Sequence, residues 1–417
     1  GVDYLKITML GFPMAALAHA MHAIILPLRV EELSGPAYKA TYLGILTFAG
    51  LLTAMLVQPV AGAISDHTSS RIGRRKPFIL AGILLALVFL FASGLVNNYT
   101  GLLIIWCFLQ ACLNVAQGPF QAYIPDLAPH NKRGQASGLK ALLEICGGVA
   151  LLSLIGRFMG RYSSGAESEW LWISLGLLGI FLAVAMILTV LTVREKIGRS
   201  QPLLWSSLWY KTFKVRLKTN SGFLLFMLSR LLFVMGLTTL QSFALYYFKD
   251  VVGAENPSKI TADLITAVGI SMLIVVFPAG RYSDRNGRRL ILTLCGLIGA
   301  AGVALIFFTH DYGWIIFAGS LIGIAAGAFL SVNWALATDL IPSGQSAQYL
   351  GLANLASAGG AALARLIGPA IDFFNHFSPN LGYNLMLGAC FFYFLLASLL
   401  IRRIKIPPSS GIAPVQT

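Results

Sequence analysis

Twelve runs of about twenty apolar residues, set off by charge, proline and glycine, fill most of this chain. An α-helix of that length crosses the hydrocarbon of a bilayer. Inside hydrocarbon every backbone N–H and C=O must find its partner within the segment, so such runs are helices. The predicted spans are 6–28, 41–65, 78–97, 101–123, 135–158, 170–193, 222–247, 261–282, 290–309, 313–336, 346–371 and 383–404. The expectation is an all-α membrane protein with twelve transmembrane helices. Composition agrees, since charged residues are only 11% of the 417 and mean hydropathy is +0.77. A soluble protein carries roughly twice that charged fraction. No small-residue cleavage site follows the first apolar run, so a removable leader is not expected.

The formal net charge is +14. Its lysines and arginines stand in short clusters between apolar runs, with no soluble domain to hold nucleic acid, so none is expected as a partner. With the N-terminus inside, 21 of the 30 basic residues fall in cytoplasmic segments, 6 outside and three within spans. That excess places both termini in the cytoplasm. The stretch 205–218 alternates aromatic and basic residues and is predicted to lie as a helix on the inner leaflet. The five cysteines all fall in apolar segments, as small core residues do. Asn98-Tyr99-Thr100 is a glycosylation sequon on a loop too short for use.

The chain repeats itself. Gly62-x-x-Ser65-Asp66 with Gly73-Arg74-Arg75 returns as Gly280-x-x-Ser283-Asp284 with Gly287-Arg288-Arg289. Asp126-Leu127-Ala128-Pro129, followed by Gly138 and Gly147, returns as Asp339-Leu340-Ile341-Pro342, followed by Gly351 and Gly360. The glycines stand 12 and 21 residues after the aspartate in both copies. Two parallel six-helix bundles are therefore expected, 1–193 and 222–417, joined by 194–221, with a solute site at their interface. Asp66, Asp126 and Asp284 with Arg74, Arg75, Arg288 and Arg289 are the candidate gate, since acid–arginine pairs at helix ends can latch in one state and release in the other.

At these residues the chain resembles the major facilitator superfamily over its whole length. The loop Asp66-His-Thr-Ser-Ser-Arg71-Ile-Gly73-Arg74-Arg75-Lys76-Pro77 is similar to that of the sucrose/proton symporters and the glycoside–pentoside–hexuronide cation symporters. Asn114-Val-Ala-Gln117-Gly118-Pro119 is similar to a sucrose-carrier segment. The resemblance implies the twelve-helix fold and alternating-access transport. Its coupling aspartates are replaced here: Gln110 stands where sucrose carriers have one, Gln58 and Ala54 where melibiose-type carriers have two. Gln121 stands where sucrose carriers have an arginine.

Ionisable and amide groups inside spans are costly and usually face a cavity or a partner. By depth, His19, Gln58, Gln110, Asn114, Gln117, Lys140, Glu144, Arg230 and Gln241 are the candidate solute contacts. Lys140 and Glu144 lie one turn apart on one helix face and can also pair structurally. Arg230 is expected opposite them, completing a charge relay. Trp334, Tyr246 and Tyr247 suit an interfacial belt, and Arg365 a snorkelling position. No nucleotide-binding loop, haem motif, zinc cluster or nucleophile elbow is present, so neither enzyme activity nor cofactor nor metal is expected. The expected function is secondary transport of a small polar, sugar- or glycoside-like solute by a monomer in the lipid bilayer. If the carrier is ion-driven, protons are the expected coupling ion with Glu144 as carrier; otherwise the same charges serve a charged group of the solute. The alternatives are an efflux carrier for amphipathic compounds and a non-transporting binding or assembly protein.

Overall fold

The computed structural model describes residues 3–68, 70–129, 132–163, 168–195, 221–340 and 346–404. Twelve helical segments follow the predicted spans, with no strand among the described residues. They are α1 (Tyr4–Ser34), α2 (Lys39–His67), α3 (Lys76–Leu95), α4 (Tyr99–Leu127), α5 (Arg133–Ser163) and α6 (Glu169–Thr192). Then come α7 (Ser221–Asp250), α8 (Pro257–Asn286), α9 (Arg288–Phe308), α10 (Tyr312–Leu340), α11 and α12 (Leu381–Arg403). The predicted interfacial stretch 205–218 lies outside the described residues.

Two expected spans are not continuous: α1 has a turn at Met9 and Leu10, between Tyr4–Thr8 and Gly11–Ala20, and α11 is broken after Arg365. Helix α11 runs as Ser346–Arg365 and Gly368–Phe377. Pro369 has no N–H, and its ring clashes with the carbonyl four residues back, that of Arg365. In α1 a single π-turn, Met21–Ile25, closes with Leu26 N–H donating to the Met21 carbonyl. The Asn98 side chain caps α4 by accepting from Gly101 N–H at 2.7 Å, so the sequon asparagine has a structural use. Asn256 caps α8 in the same way, accepting from Lys259 N–H at 3.0 Å.

The contacts within the halves follow the repeat. In the first, α1 packs on α5, α2 on α4, and α3 on α4 and α6; in the second, α7 packs on α11, α8 on α10, and α9 on α10 and α12. The halves meet through α5 with α8 and α2 with α11, which exchange under the same six-helix shift. The recurring glycines have matching duties. A Cβ on Gly147 would strike the Phe12 carbonyl of α1, and one on Gly360 the Leu231 carbonyl of α7. Gly73 and Gly287, in the recurring loop, hold φ of 126° and 91°, where a side chain is strained. Large apolar side chains such as Val88, Ile180, Leu191 and Ile274 are exposed, as lipid-facing positions require. The protein is a multi-pass membrane protein.

Candidate functional site

Two connected lobes open between the halves. The lobe on the first half is about 490 Å³ and is lined by Gln58, Gln110, Asn114, Gln117, Glu144 and His19. That on the second is about 400 Å³ and is lined by Arg230, Gln241, Asn333, Trp334, Ser357 and a large apolar wall. His19, Ile145, Met272 and Leu330 border both.

The first lobe is built of amides from α2 and α4. Gln58 Nε2 donates to Gln121 Oε1 at 3.1 Å, and Asn114 Nδ2 to the Gln110 carbonyl at 2.8 Å. Gln117 Oε1 is buried with no hydrogen-bond partner among the described residues. On α5, Lys140 Nζ stands 2.7 Å from Glu144 Oε1, the one-turn pair expected from spacing. Both side chains are partly exposed, at 18% and 31%, and Glu144 lines the lobe. His19 on α1 and Gln241 on α7 join the halves at the boundary, with Gln241 Nε2 2.8 Å from His19 Nδ1.

Arg230 has partners of another kind. Its Nη1 donates to Asn333 Oδ1 and its Nε to Ser357 Oγ at 2.6 Å, while its guanidinium lies 4.4 Å from the Trp334 ring centroid. The expected relay with Glu144 is not made in this arrangement. Sequence reasoning misses Asn333 and Ser357; a lone arginine signals that it needs an acceptor, but not which helices supply it. Trp334 lies under this guanidinium rather than in a belt. Tyr246 and Tyr247 are buried because their hydroxyls donate to the Pro27 and Ile306 carbonyls, at 2.7 and 3.1 Å. Arg365 is likewise buried, its Nη1 donating to the Ala361 carbonyl in the last turn before the break in α11.

The end away from the basic loops is shut by contacts across the halves. Lys39 Nζ, on a side chain 5% exposed, lies 2.8 Å from both Glu31 Oε1 and Asp250 Oδ1. Lys249 reaches Glu31 Oε2 at 2.8 Å, and Tyr383 donates to Asp250 Oδ2 at 2.6 Å. Thr41 N–H donates to Asp372 Oδ2 at 2.6 Å, and Gly44 lies against the Arg365 carbonyl freed by the break in α11. In the sequence, Lys39 and Lys249 count only as topology charges. The signal available for Lys39 is an acid at another helix end, Asp250, 211 residues on.

At the basic end, the described partners of the candidate gate stay within their own half or the residues just after α6. Arg75 pairs with Asp66 and, at 3.0 Å, with Asp126, and Nη1 donates to Ser65 Oγ at 2.5 Å. Arg74 reaches Asp126 at 2.7 Å, and Glu195 accepts from Arg75 N–H at 2.8 Å. Asp284 stands 3.7 Å from Arg288, and Arg289 donates to the Arg402 carbonyl. The side chain of Asp339, which repeats Asp126, lies outside the described residues. Arg75 spreads its donors over three nitrogens, Nε, Nη1 and Nη2, a span that the single nitrogen of an ammonium does not cover. Arg75→Lys is expected to cost about 1.5 kcal/mol, read as a lower midpoint when a thiol-reactive dye reports heat exposure of buried Cys112, Cys295 and Cys390. An unchanged midpoint would mean the cluster holds nothing together.

Residues 35–375 match the family described as MFS/sugar transport protein. The general alpha-glucoside permease of Schizosaccharomyces pombe is 49% identical over 56 residues, 13% of this chain and 10% of that protein. The multi-drug resistance efflux pump PmrA of Streptococcus pneumoniae is 22% identical over 310 residues, 70% of each chain. Sucrose transport protein SUT3 of Oryza sativa is 26% identical over 149 residues, 30% of this chain and 27% of that one. Among solved structures, the nucleoside transporter NupG superposes with TM-score 0.73 at 13% identity, covering 96% of this chain and 99% of that one. The D-xylose-proton symporter does so with TM-score 0.70 at 18% identity, covering 97% of each. At these identities the structures speak for the fold.

Proposed function

This chain belongs to the MFS/sugar transport protein family, and from that premise we propose that it carries a small polar, sugar- or glycoside-like solute across a membrane by alternating access. The observation that carries the reading is the asymmetry of the two ends. Charged groups from both halves interlock at one end, while the described partners of the gate residues at the other stay within their halves or just after α6, and an amide-lined cavity lies between. That is how a carrier looks when its site is closed to one side. The basic loops mark the open side as the cytoplasm, so this is the inward-facing state with both termini inside. Residues 1–193 and 222–417 are the moving bodies, and 194–221 tethers them.

Amides offer donors and acceptors together, which suits hydroxyl-rich solutes. The alpha-glucoside permease and the sucrose transporter among the relatives fit such a solute. Gln58, Gln110, Asn114 and Gln117 would hold it, beside Lys140 and Glu144. The test is counterflow in proteoliposomes over sugars, glycosides and nucleosides, since a pure binder gives none. For the solute that exchanges, Asn114→Leu is expected to raise the half-saturating concentration about tenfold, one hydrogen bond of roughly 1.4 kcal/mol. An unchanged value places the solute elsewhere. A second reading, export of amphipathic compounds, is favoured by the apolar wall of the other lobe and by the likeness to PmrA.

A further inference from the structure

We infer that the lobe on the second half binds an amphiphilic monoanion, a carboxylate carrying an alkyl or aryl tail. This takes the cavity of the transport reading as its place but does not depend on the polar solute proposed for the first lobe. The argument begins with charge. Of the acidic and basic side chains lining the two lobes, Glu144 has Lys140 as its ion-pair partner. Arg230, 7% exposed, has no acid within ion-pairing distance among the described residues. Asn333 and Ser357 supply neutral acceptors, which satisfy hydrogen bonds but leave the charge. An uncompensated guanidinium within a bundle is expensive, and an arriving carboxylate offsets that cost.

Unused donors point the same way. Among the described residues, Arg230 Nη2 makes no hydrogen bond and Asn333 Nδ2 is buried with no partner. Two unused donors on residues already joined by a hydrogen bond suit the two oxygens of a carboxylate. The rest of the lobe suits a tail. From Arg230 the wall continues over Val234, Leu237, Phe329, Ala326, Val268 and Ile306, all apolar. At about 400 Å³ it lies in the range of small-molecule sites that are mostly apolar with a few placed polar groups. A sugar lying along that wall would leave hydroxyls without partners, at a cost for each. A hydrophilic anion would use the guanidinium and waste the wall.

The test is ligand stabilisation of the purified full-length protein in detergent. The probes share a frame and differ in head group: 4-phenylbutyrate, 4-phenylbutanol and 4-phenylbutylamine. Octanoate replaces the aryl tail with an alkyl one, and gluconate is the anion without a tail. One or both tailed acids should bind at least about tenfold tighter than the alcohol, the amine and gluconate, an ion-pairing preference of roughly 1.4 kcal/mol. The tighter acid identifies the tail. Arg230→Gln should erase the preference of acid over alcohol, and Ala326→Leu, which fills the wall, should weaken the acids while leaving Arg230 in place. If Arg230 only fastens α7 to α10 and α11, Arg230→Gln lowers the melting point but leaves the acid-to-alcohol ratio unchanged, which overturns the inference. Equal binding of alcohol and acid, or gluconate binding as well as the tailed acids, also overturns it. Counterflow of sugars failing while acid binding persists would count against the transport reading alone.

Discussion

Lys39→Met should open the outer end of this protein. The lysine is buried between Glu31 and Asp250, so its removal leaves two acids facing each other across the seam between the halves. Breaking a buried pair by deleting one partner costs about 3 kcal/mol, because the remaining charge stays desolvated. Lys249 still reaches Glu31, which puts the cost at the low end of the usual range. The cost falls only on the state in which the halves touch at this end. The population therefore moves toward the outward-open state by roughly a hundredfold. Ala262, fully buried beneath Gly156 where α5 meets α8, is the reporter. In a background with the five native cysteines replaced by alanine, Ala262→Cys should react with an impermeant thiol reagent about a hundredfold faster when Lys39→Met is added. An equal rate would show that these charges decorate a seam held by backbone contacts such as Gly44 against Arg365.

Glu144→Gln is expected to abolish uphill transport and leave exchange partly intact. Glu144 is the acid that lines the cavity among the described residues, and the positions of the family's usual coupling aspartates hold Gln110, Gln58 and Ala54. Lys140, 2.7 Å away, is its ion-pair partner. A carrier moving one proton per solute can accumulate it about tenfold against a pH step of one unit, since one unit is about 1.4 kcal/mol. The parent should approach that ratio in proteoliposomes, and Glu144→Gln should stay near one. If the variant accumulates solute like the parent from about pH 5 to 8, the pair on α5 is a structural fastener. The protein is then a facilitator.

The sequence is most informative about features that repeat along one helix or from one half to the other. Hydropathy marks spans because the bilayer sets one length for all of them. The spacing of Lys140 and Glu144 predicts their contact, because a helix turn is local. The matching of Gly147 to Gly360 points to equivalent duties, and each glycine does lie against the first helix of its half. Spacing says how deep a side chain lies, but not which way it faces once helices from both halves are assembled. Depth alone suggests Arg230 opposite Glu144; rotation of α7 turns it to Asn333 and Ser357 instead. The same limit hides the ion pairs of Lys39, whose partners come from the ends of α1 and α7. The break in α11 is legible in Pro369, but the use of the freed Arg365 carbonyl is not.

The π-turn in α1 divides that helix into two segments whose angular phases are set separately. An α-helix advances about 100° per residue, and a π-turn holds one residue more than the ladder needs. Below it, His19 meets Gln241 at the cavity boundary. Above it, Glu31 meets Lys39 and Lys249 at the closed end. In a regular helix these two headings would be geared together, and correcting one would spoil the other. The extra residue in Met21–Ile25 acts as a slip joint, giving one rod two independent bearings. Closing that wide turn to an ordinary one swings Glu31 about a quarter of a revolution relative to His19 with little change in height. The first helix can therefore serve the solute end and the lock end of the molecule without compromise between them.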